Sequence, residues 1–240
     1  MNNQTIEKMR EMKLYGMARA AESAIEVGLK GITPDEFLAH LVDAEYDDRY
    51  NRRLARLIKN ARFRYRAQIE DIDFSLERGL DKNMFMRFSD CGFLKSKKNI
   101  IVTGATGLGK SFLASALGNQ ACVYGYRTLY FNTRKLFSTL KLAKADGTYI
   151  NKVKKIEKAD LLLLDDFGLE KLDTASRLIL LEILEDRHRL ASTIITSQFP
   201  VSAWHDIIGD PTIADAICDR MVNSSYRIEL KGGSVRKKFK

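Results

Sequence analysis

Asn99-Ile-Ile-Val-Thr-Gly-Ala-Thr-Gly-Leu-Gly-Lys-Ser-Phe112 decides how this chain is read. Its first five residues are a β-branched apolar run of strand length. They lead into Gly104 to Ser111, which fits G-x-x-x-x-G-K-[ST], the phosphate-binding loop. Glycines at 104, 107 and 109 let the backbone wrap an anion where a Cβ would clash. Phe112 to Val123, apolar at 112, 113, 116, 117, 121 and 123, reads as the helix whose positive end faces that anion. Strand, loop and helix thus occur in the order the motif needs. Gly104, Ala105, Thr106, Gly107, Leu108, Gly109, Lys110, Ser111 and Phe112 are expected around the phosphates of ATP or ADP. Lys110 would reach the terminal phosphates and the Ser111 hydroxyl would ligate Mg²⁺.

Working downstream, Asp160-Leu-Leu-Leu-Leu-Asp-Asp166 is a buried-strand pattern closed by two carboxylates. In open α/β sheets such strand ends lie where ligands bind. Asp165 is read as the second Mg²⁺ ligand, with Asp166 orienting or deprotonating the attacking water. Thr196-Ser197-Gln198 ends another apolar strand, with Gln198 as a sensor facing the γ-phosphate. Arg220, near the end of a helix, leaves two readings: a surface ion pair, or a guanidinium that stabilises phosphoryl charge.

The remaining elements alternate. Thr128-Leu-Tyr-Phe131, Ser192-Thr-Ile-Ile-Thr-Ser197 and Tyr226-Arg-Ile-Glu-Leu230 read as strands, with helices over 134–145, 174–190, 201–208 and 212–221. The helix over 174–190 is expected to bury Leu178, Ile179, Leu181, Ile183 and Leu184. A parallel sheet covered on both faces follows. Upstream, residues 1–28 read as a helix, or two with a break near Gly16. Thr33-Pro-Asp-Glu36 starts another that runs through 34–66. Ile69-Glu-Asp-Ile-Asp-Phe74 is less regular, and a short helix covers about 81–89. The expected division is a helical domain over 1–68, for partner or DNA contact, and an ATPase domain over 69–240.

With 45% hydrophobic residues the chain can fill a core. It holds no apolar run near the roughly 18 residues of a membrane span and no signal-peptide segment at its start, and its three cysteines lack metal spacing. A cytoplasmic protein with no membrane partner is expected. The net charge of +9 is concentrated: residues 49–66 hold eight Lys/Arg and no acid, residues 134–158 eight Lys/Arg and two acids, and the rest sums to −5. That distribution suits a polyanion.

The chain resembles the IstB-like transposition helper ATPases, in the DnaC/DnaA-like branch of the AAA+ ATPases. Besides the loop and Leu162-Leu-Leu-Asp-Asp166, the resemblance rests on Met9 to Met17, Leu41 to Glu45, Asn51 to Leu57, Ile69 to Phe74, Leu181 to Arg187, Thr193 to Gln198, Gly209 to Ala216, Asp219-Arg220 and Arg227 to Gly232. It implies an AAA+ fold without the extra helical lid. It further implies a Mg²⁺-dependent ATPase that forms homo-oligomers on double-stranded DNA, deforms it, and passes it to an insertion-sequence transposase. Under it Arg220 looks like an arginine finger entering a neighbour's site, Arg236 like a second sensor, and Gln198 like the first.

DNA phosphates would meet Lys135, Lys141, Lys144, Lys152, Lys154 and Lys155, since that region serves this purpose in initiator-type relatives; a solvated helix face is the other reading. The helix carrying Arg52, Arg53 and Arg56 is amphipathic and basic, so it suits DNA, the transposase, a subunit contact or plain solvent. Two rival functions remain: a DnaC-type helicase loader and a small-molecule phosphotransferase.

Overall fold

The computed structural model describes residues 3–28, 31–223 and 225–235. The chain divides into two compact units, Met1–Arg56 and Leu57–Lys240.

The first unit is helical: α1 (Asn3–Glu11), α2 (Tyr15–Val27) and α3 (Pro34–Ala61), the last running on into the second unit. The start of α3 is a capping box. Glu36 accepts from the Thr33 amide at 2.8 Å while the Thr33 hydroxyl accepts from the Glu36 amide. The first helical segment breaks at 12–14, where Lys13 is left-handed, and not at Gly16. Gly16 lies buried inside α2, and a Cβ there would come within 2.7 Å of the Glu45 Cα on α3. The glycine is a helix–helix contact. Glu45 uses that closeness: its carboxylate caps α2 by accepting from the amides of Gly16 (2.8 Å) and Met17 (3.3 Å).

The second unit is a five-stranded parallel sheet with helices on both faces. After α4 (Lys82–Met86) and α5 (Gly92–Lys95) come β1 (Asn99–Thr103), α6 (Lys110–Val123) and β2 (Thr128–Asn132). Next are α7 (Thr133–Ala145), α8 (Tyr149–Glu157), β3 (Leu161–Phe167), α9 (Thr174–Arg187) and β4 (Ser192–Ser197). A 3-10 turn (Val201–Ala203) precedes α10 (Trp204–Ile208), α11 (Pro211–Val222) and β5 (Ser225–Glu229). Sheet order is β2-β3-β4-β1-β5 with every pair parallel. Among the described residues no α-helix follows β5.

Strand alternation divides the core in two. Ile101, Leu162, Leu164 and Ile195 join the helices α7 to α11 on one face. Ile100, Val102, Leu161, Leu163 and Ile194 join α6 and the segment from Ala67 to Leu94 on the other. The four leucines of β3 therefore serve both cores. On α9 the buried set is Ile179, Leu180, Ile183 and Leu184; Leu178, expected inside, is 49% exposed. The helix packs through a narrower stripe than its five apolar residues suggested.

Arg187, at the end of α9, is 2% exposed. Its guanidinium donates to the carbonyls of Ile156 (2.9 Å), Ala159 (2.7 Å) and Ser192 (2.6 Å). Burial lowers its pKa to about 10, so it stays a cation at neutral pH.

Candidate nucleotide site

The loop at 104–111 spans the gap between the end of β1 and the start of α6. Gly109 is left-handed (φ 86°), and a Cβ there would sit 2.7 Å from Nη1 of Arg78. Gly104 (φ 143°) lies against the chain after β5, 2.5 Å from the Leu230 carbonyl by the same measure. Positive φ favours glycine at both positions, and at Gly104 the backbone neighbour leaves no room for a Cβ either. The segment after β5 is stitched to the loop by Val235 N–H donating to Gly107 O at 3.0 Å. Lys110 is buried and folds over the loop, donating to the carbonyls of Gly104 (2.7 Å) and Ala105 (2.9 Å).

Asp165 continues the parity of Leu161 and Leu163, so it faces α6. It is 1% exposed and fully engaged. Oδ1 accepts from Ser111 Oγ at 2.7 Å and from Thr196 Oγ1, while Oδ2 accepts from the Tyr130 hydroxyl. Burial first, and this hydrogen bond next, push the Tyr130 hydroxyl far above the usual tyrosine range, which keeps it a donor.

Asp166 would point to the opposite face in a regular strand. Instead β3 bulges: Leu164 pairs with Ile195 and Phe167 with Ser197, so two aspartates oppose Thr196 alone. Asp166 is the extra residue, left-handed at φ 59°. The bulge brings both carboxylates to one side. Arg64 Nη1 stands 3.2 Å from Asp166 Oδ2 and 3.6 Å from Asp165 Oδ2. Asn132 Nδ2 donates to the same Asp166 oxygen at 3.1 Å.

Arg64 and Asp166 border a cavity of about 580 Å³, whose walls also include Lys110, Ser111, Gln198, Tyr65 and Arg78. Thr106 Oγ1 donates to Gln198 Oε1 at 2.7 Å, which leaves the Gln198 amide nitrogen as its donor end. Tyr65 packs on Phe112 with ring centroids 6.2 Å apart. Arg78 is 4% exposed, donates to Leu108 O and Asp73 O at 3.1 Å each, and has a buried Nε without a partner. Sequence reasoning missed Arg64, Tyr130, Asn132 and Arg78. None belongs to a spaced motif, and only the fold brings them to the loop.

Other expected residues lie elsewhere. Arg220 is on α11, where its carbonyl accepts from Asn99 Nδ2 at 3.0 Å. Asn99 begins β1, so this is the sheet edge opposite the loop. There the guanidinium pairs with Glu185 at 2.8 Å, the surface ion pair that was one of its two readings. Arg236 lies outside the described residues. On α7, Lys135 and Lys144 are exposed and Lys141 is bound to Asp173 at 2.6 Å; Lys144 lies 4.6 Å over the Tyr149 ring. On α8, Lys154 and Lys155 are exposed and Lys152 is half-buried. In the first unit Arg52 is tied to Asp48 (2.6 Å) and Glu45 (3.6 Å), while Arg53 and Arg56 are exposed on α3.

The donor set suits a magnesium nucleotide. A hydroxyl and a carboxylate 2.7 Å apart are hard oxygen ligands, too few to hold the ion without phosphate oxygens. No cluster of three His, Cys, Asp or Glu that could hold a metal occurs among the described residues.

A parallel sheet in this order, with a glycine loop after β1 and two carboxylates near the end of β3, defines a P-loop nucleotide-binding protein of the AAA+ class. The model of the IstB-like ATP-binding proteins matches residues 7–240. The chain belongs to that family, which is associated with insertion sequences. It is 44% identical over 234 residues to "Putative insertion sequence ATP-binding protein y4pL" of Sinorhizobium fredii, covering 97% of this chain and 96% of that one. Among solved structures, DnaI is 25% identical with a TM-score of 0.57, covering 69% of this chain and 92% of that one. The DnaC helicase loader, at 24% and 0.54, covers 62% of this chain and 87% of its own and shares the fold. Among the described residues no helix is long and apolar enough to cross a membrane.

Proposed function

We propose that this chain is a Mg²⁺-dependent ATPase that serves an insertion-sequence transposase. It binds ATP and ADP, assembles on double-stranded DNA, deforms the duplex and delivers it to the transposase, with hydrolysis driving release. The observation that carries the catalytic part is the meeting of Ser111 Oγ and Asp165 Oδ1 at 2.7 Å beside the phosphate loop. Relatives named for insertion sequences support the biological part. They match nearly end to end, whereas the helicase loader matches 62% of the chain, so the transposition reading is preferred.

In this reading the amides of the loop and Lys110 hold the phosphates. Ser111 and Asp165 hold Mg²⁺, which neutralises developing phosphate charge when bound. Asp166, held at Oδ2 by Asn132, presents its other oxygen to the attacking water. The Gln198 amide orients that water or the γ-phosphate. Arg220, directed away from its own loop, completes a neighbour's site in a homo-oligomer, and Arg236 is assigned to a second sensor. Residues 1–68 are assigned to partner or DNA contact and 69–240 to the ATPase, with Arg64 and Tyr65 near the end of the first stretch bordering its cavity. The lysines of α7 and α8, with Arg52, Arg53 and Arg56, supply the DNA-facing charge.

The test is ATP turnover with and without duplex DNA, alongside sizing in ATP and in ADP. The expected result is an ATP-dependent oligomer on DNA and turnover raised severalfold by the duplex. A monomer whose turnover ignores DNA and follows a small phosphate acceptor would favour a phosphotransferase instead.

A further inference from the structure

We propose that Arg64 is a counter-ion built into this site, which competes with the divalent cation for the Asp165–Asp166 pair. Loading the cation then requires the guanidinium to be displaced. The inference rests on the nucleotide-site reading above and adds a regulatory residue to it.

The geometry is asymmetric in a way that matters. One guanidinium nitrogen serves both carboxylates, at 3.2 Å and 3.6 Å, through the oxygens Asp166 Oδ2 and Asp165 Oδ2. A positive charge between two carboxylates occupies the same negative potential that a divalent ion seeks. Asp165 cannot yield, because Ser111, Thr196 and Tyr130 fix both of its oxygens inside the core. Arg64 can. Its side chain is 44% exposed, so moving it loses little burial.

Its neighbours also point to a movable arm. Arg64 follows α3 by three residues, after a left-handed Arg62 (φ 58°) that ends the helix. The guanidinium carbon lies 5.5 Å from the centroid of the Tyr65 ring, which packs on Phe112 beside the loop. The arginine is thus held at the cavity wall by an aromatic contact that tolerates sliding, and at the carboxylates by charge. Displacement would couple the segment after α3 to cation loading and restrain turnover when Mg²⁺ is scarce.

The test follows Mn²⁺ binding to the full chain by electron paramagnetic resonance, in the presence of a non-hydrolysable ATP analogue. Wild type, Arg64→Ala, Arg64→Gln and Arg64→Lys are compared, and analogue affinity without metal is measured for each. Arg64→Ala and Arg64→Gln should bind Mn²⁺ at least threefold more tightly, Arg64→Lys should stay near wild type, and metal-free analogue affinity should change less than twofold. Equal or weaker Mn²⁺ binding in the neutral variants would overturn the proposal. So would loss of analogue binding, which would make Arg64 a nucleotide ligand. A wild-type protein that takes up neither analogue nor Mn²⁺ would remove the nucleotide-site reading itself.

Discussion

Asp165 is held by three hydroxyls from three different elements, and each is a point where the site can be tested. Tyr130→Phe leaves Oδ2 of a buried carboxylate without that donor, at a cost of about 1–3 kcal/mol. A thermal melt should fall by several degrees, and the variant should bind Mg²⁺–nucleotide less well than wild type. Lys110→Ala should abolish phosphate release, since its ammonium is the positive charge folded over the loop. Arg220→Ala should also abolish release while nucleotide affinity, read by a fluorescent analogue, stays within about twofold, because its guanidinium sits at the far sheet edge on Glu185. Turnover retained in that variant would show that a neighbour is not needed. At this scale the sequence was informative wherever a motif fixes spacing, as with Lys110, Ser111 and Asp165. It was uninformative about Arg64, whose charge was counted within a basic stretch suited to DNA.

Among the elements, α9 begins on Asp173, which accepts from the Ser176 amide at 2.9 Å and pairs with Lys141. The Lys141 hydrogen bond first, then the Ser176 amide, lower its pKa to about 2 from an ordinary 3.8. A depressed folded value means its stabilisation is present above about pH 4 and is lost as the pH falls toward 2. Since the group is largely exposed, solvent screens the effect. Denaturant titrations at pH 5, 4 and 3 should show Asp173→Asn losing part of the wild-type slope. Asp173→Ala should lose about 1 kcal/mol at pH 7 as a missing cap. Lys141 is therefore a poor probe of DNA contact, because reversing its charge damages α9.

The apolar alternation of β3 made the doubly covered sheet readable. The bulge at Asp166 was not, since nothing in Asp-Asp-Phe announces a left-handed aspartate. The break expected near Gly16 falls at 12–14, and the glycine itself marks a close approach to α3, the other thing a glycine in a helical pattern can signal. Gly16→Ala should destabilise the first unit by at least about 1 kcal/mol in a chemical melt, because the added methyl meets the α3 backbone.

For the whole molecule, charge distribution makes a prediction that composition alone does not. Lys144→Glu with Lys154→Glu should lower the salt slope of duplex affinity by about two, roughly one for each phosphate that is no longer neutralised. An unchanged slope would remove α7 and α8 from the interface. Where the basic residues cluster along the chain was legible, but which of them are spent on internal pairs, such as Arg52 on Asp48 and Glu45, required the packing.

The anchoring of α9 has a mechanical corollary. Asp173 at its head grips α7; Arg187 at its tail grips the end of α8; and Glu185, just before it, grips Arg220. A rod of 14 residues, about 21 Å long, is thereby bolted to the lysine-bearing helices at both ends and to the finger candidate near one. Under the proposed function, strain from a bent duplex on α7 and α8 would arrive at Arg220 as a tilt of this rod, and the tension of the cargo and the trigger for a neighbour would then share one lever.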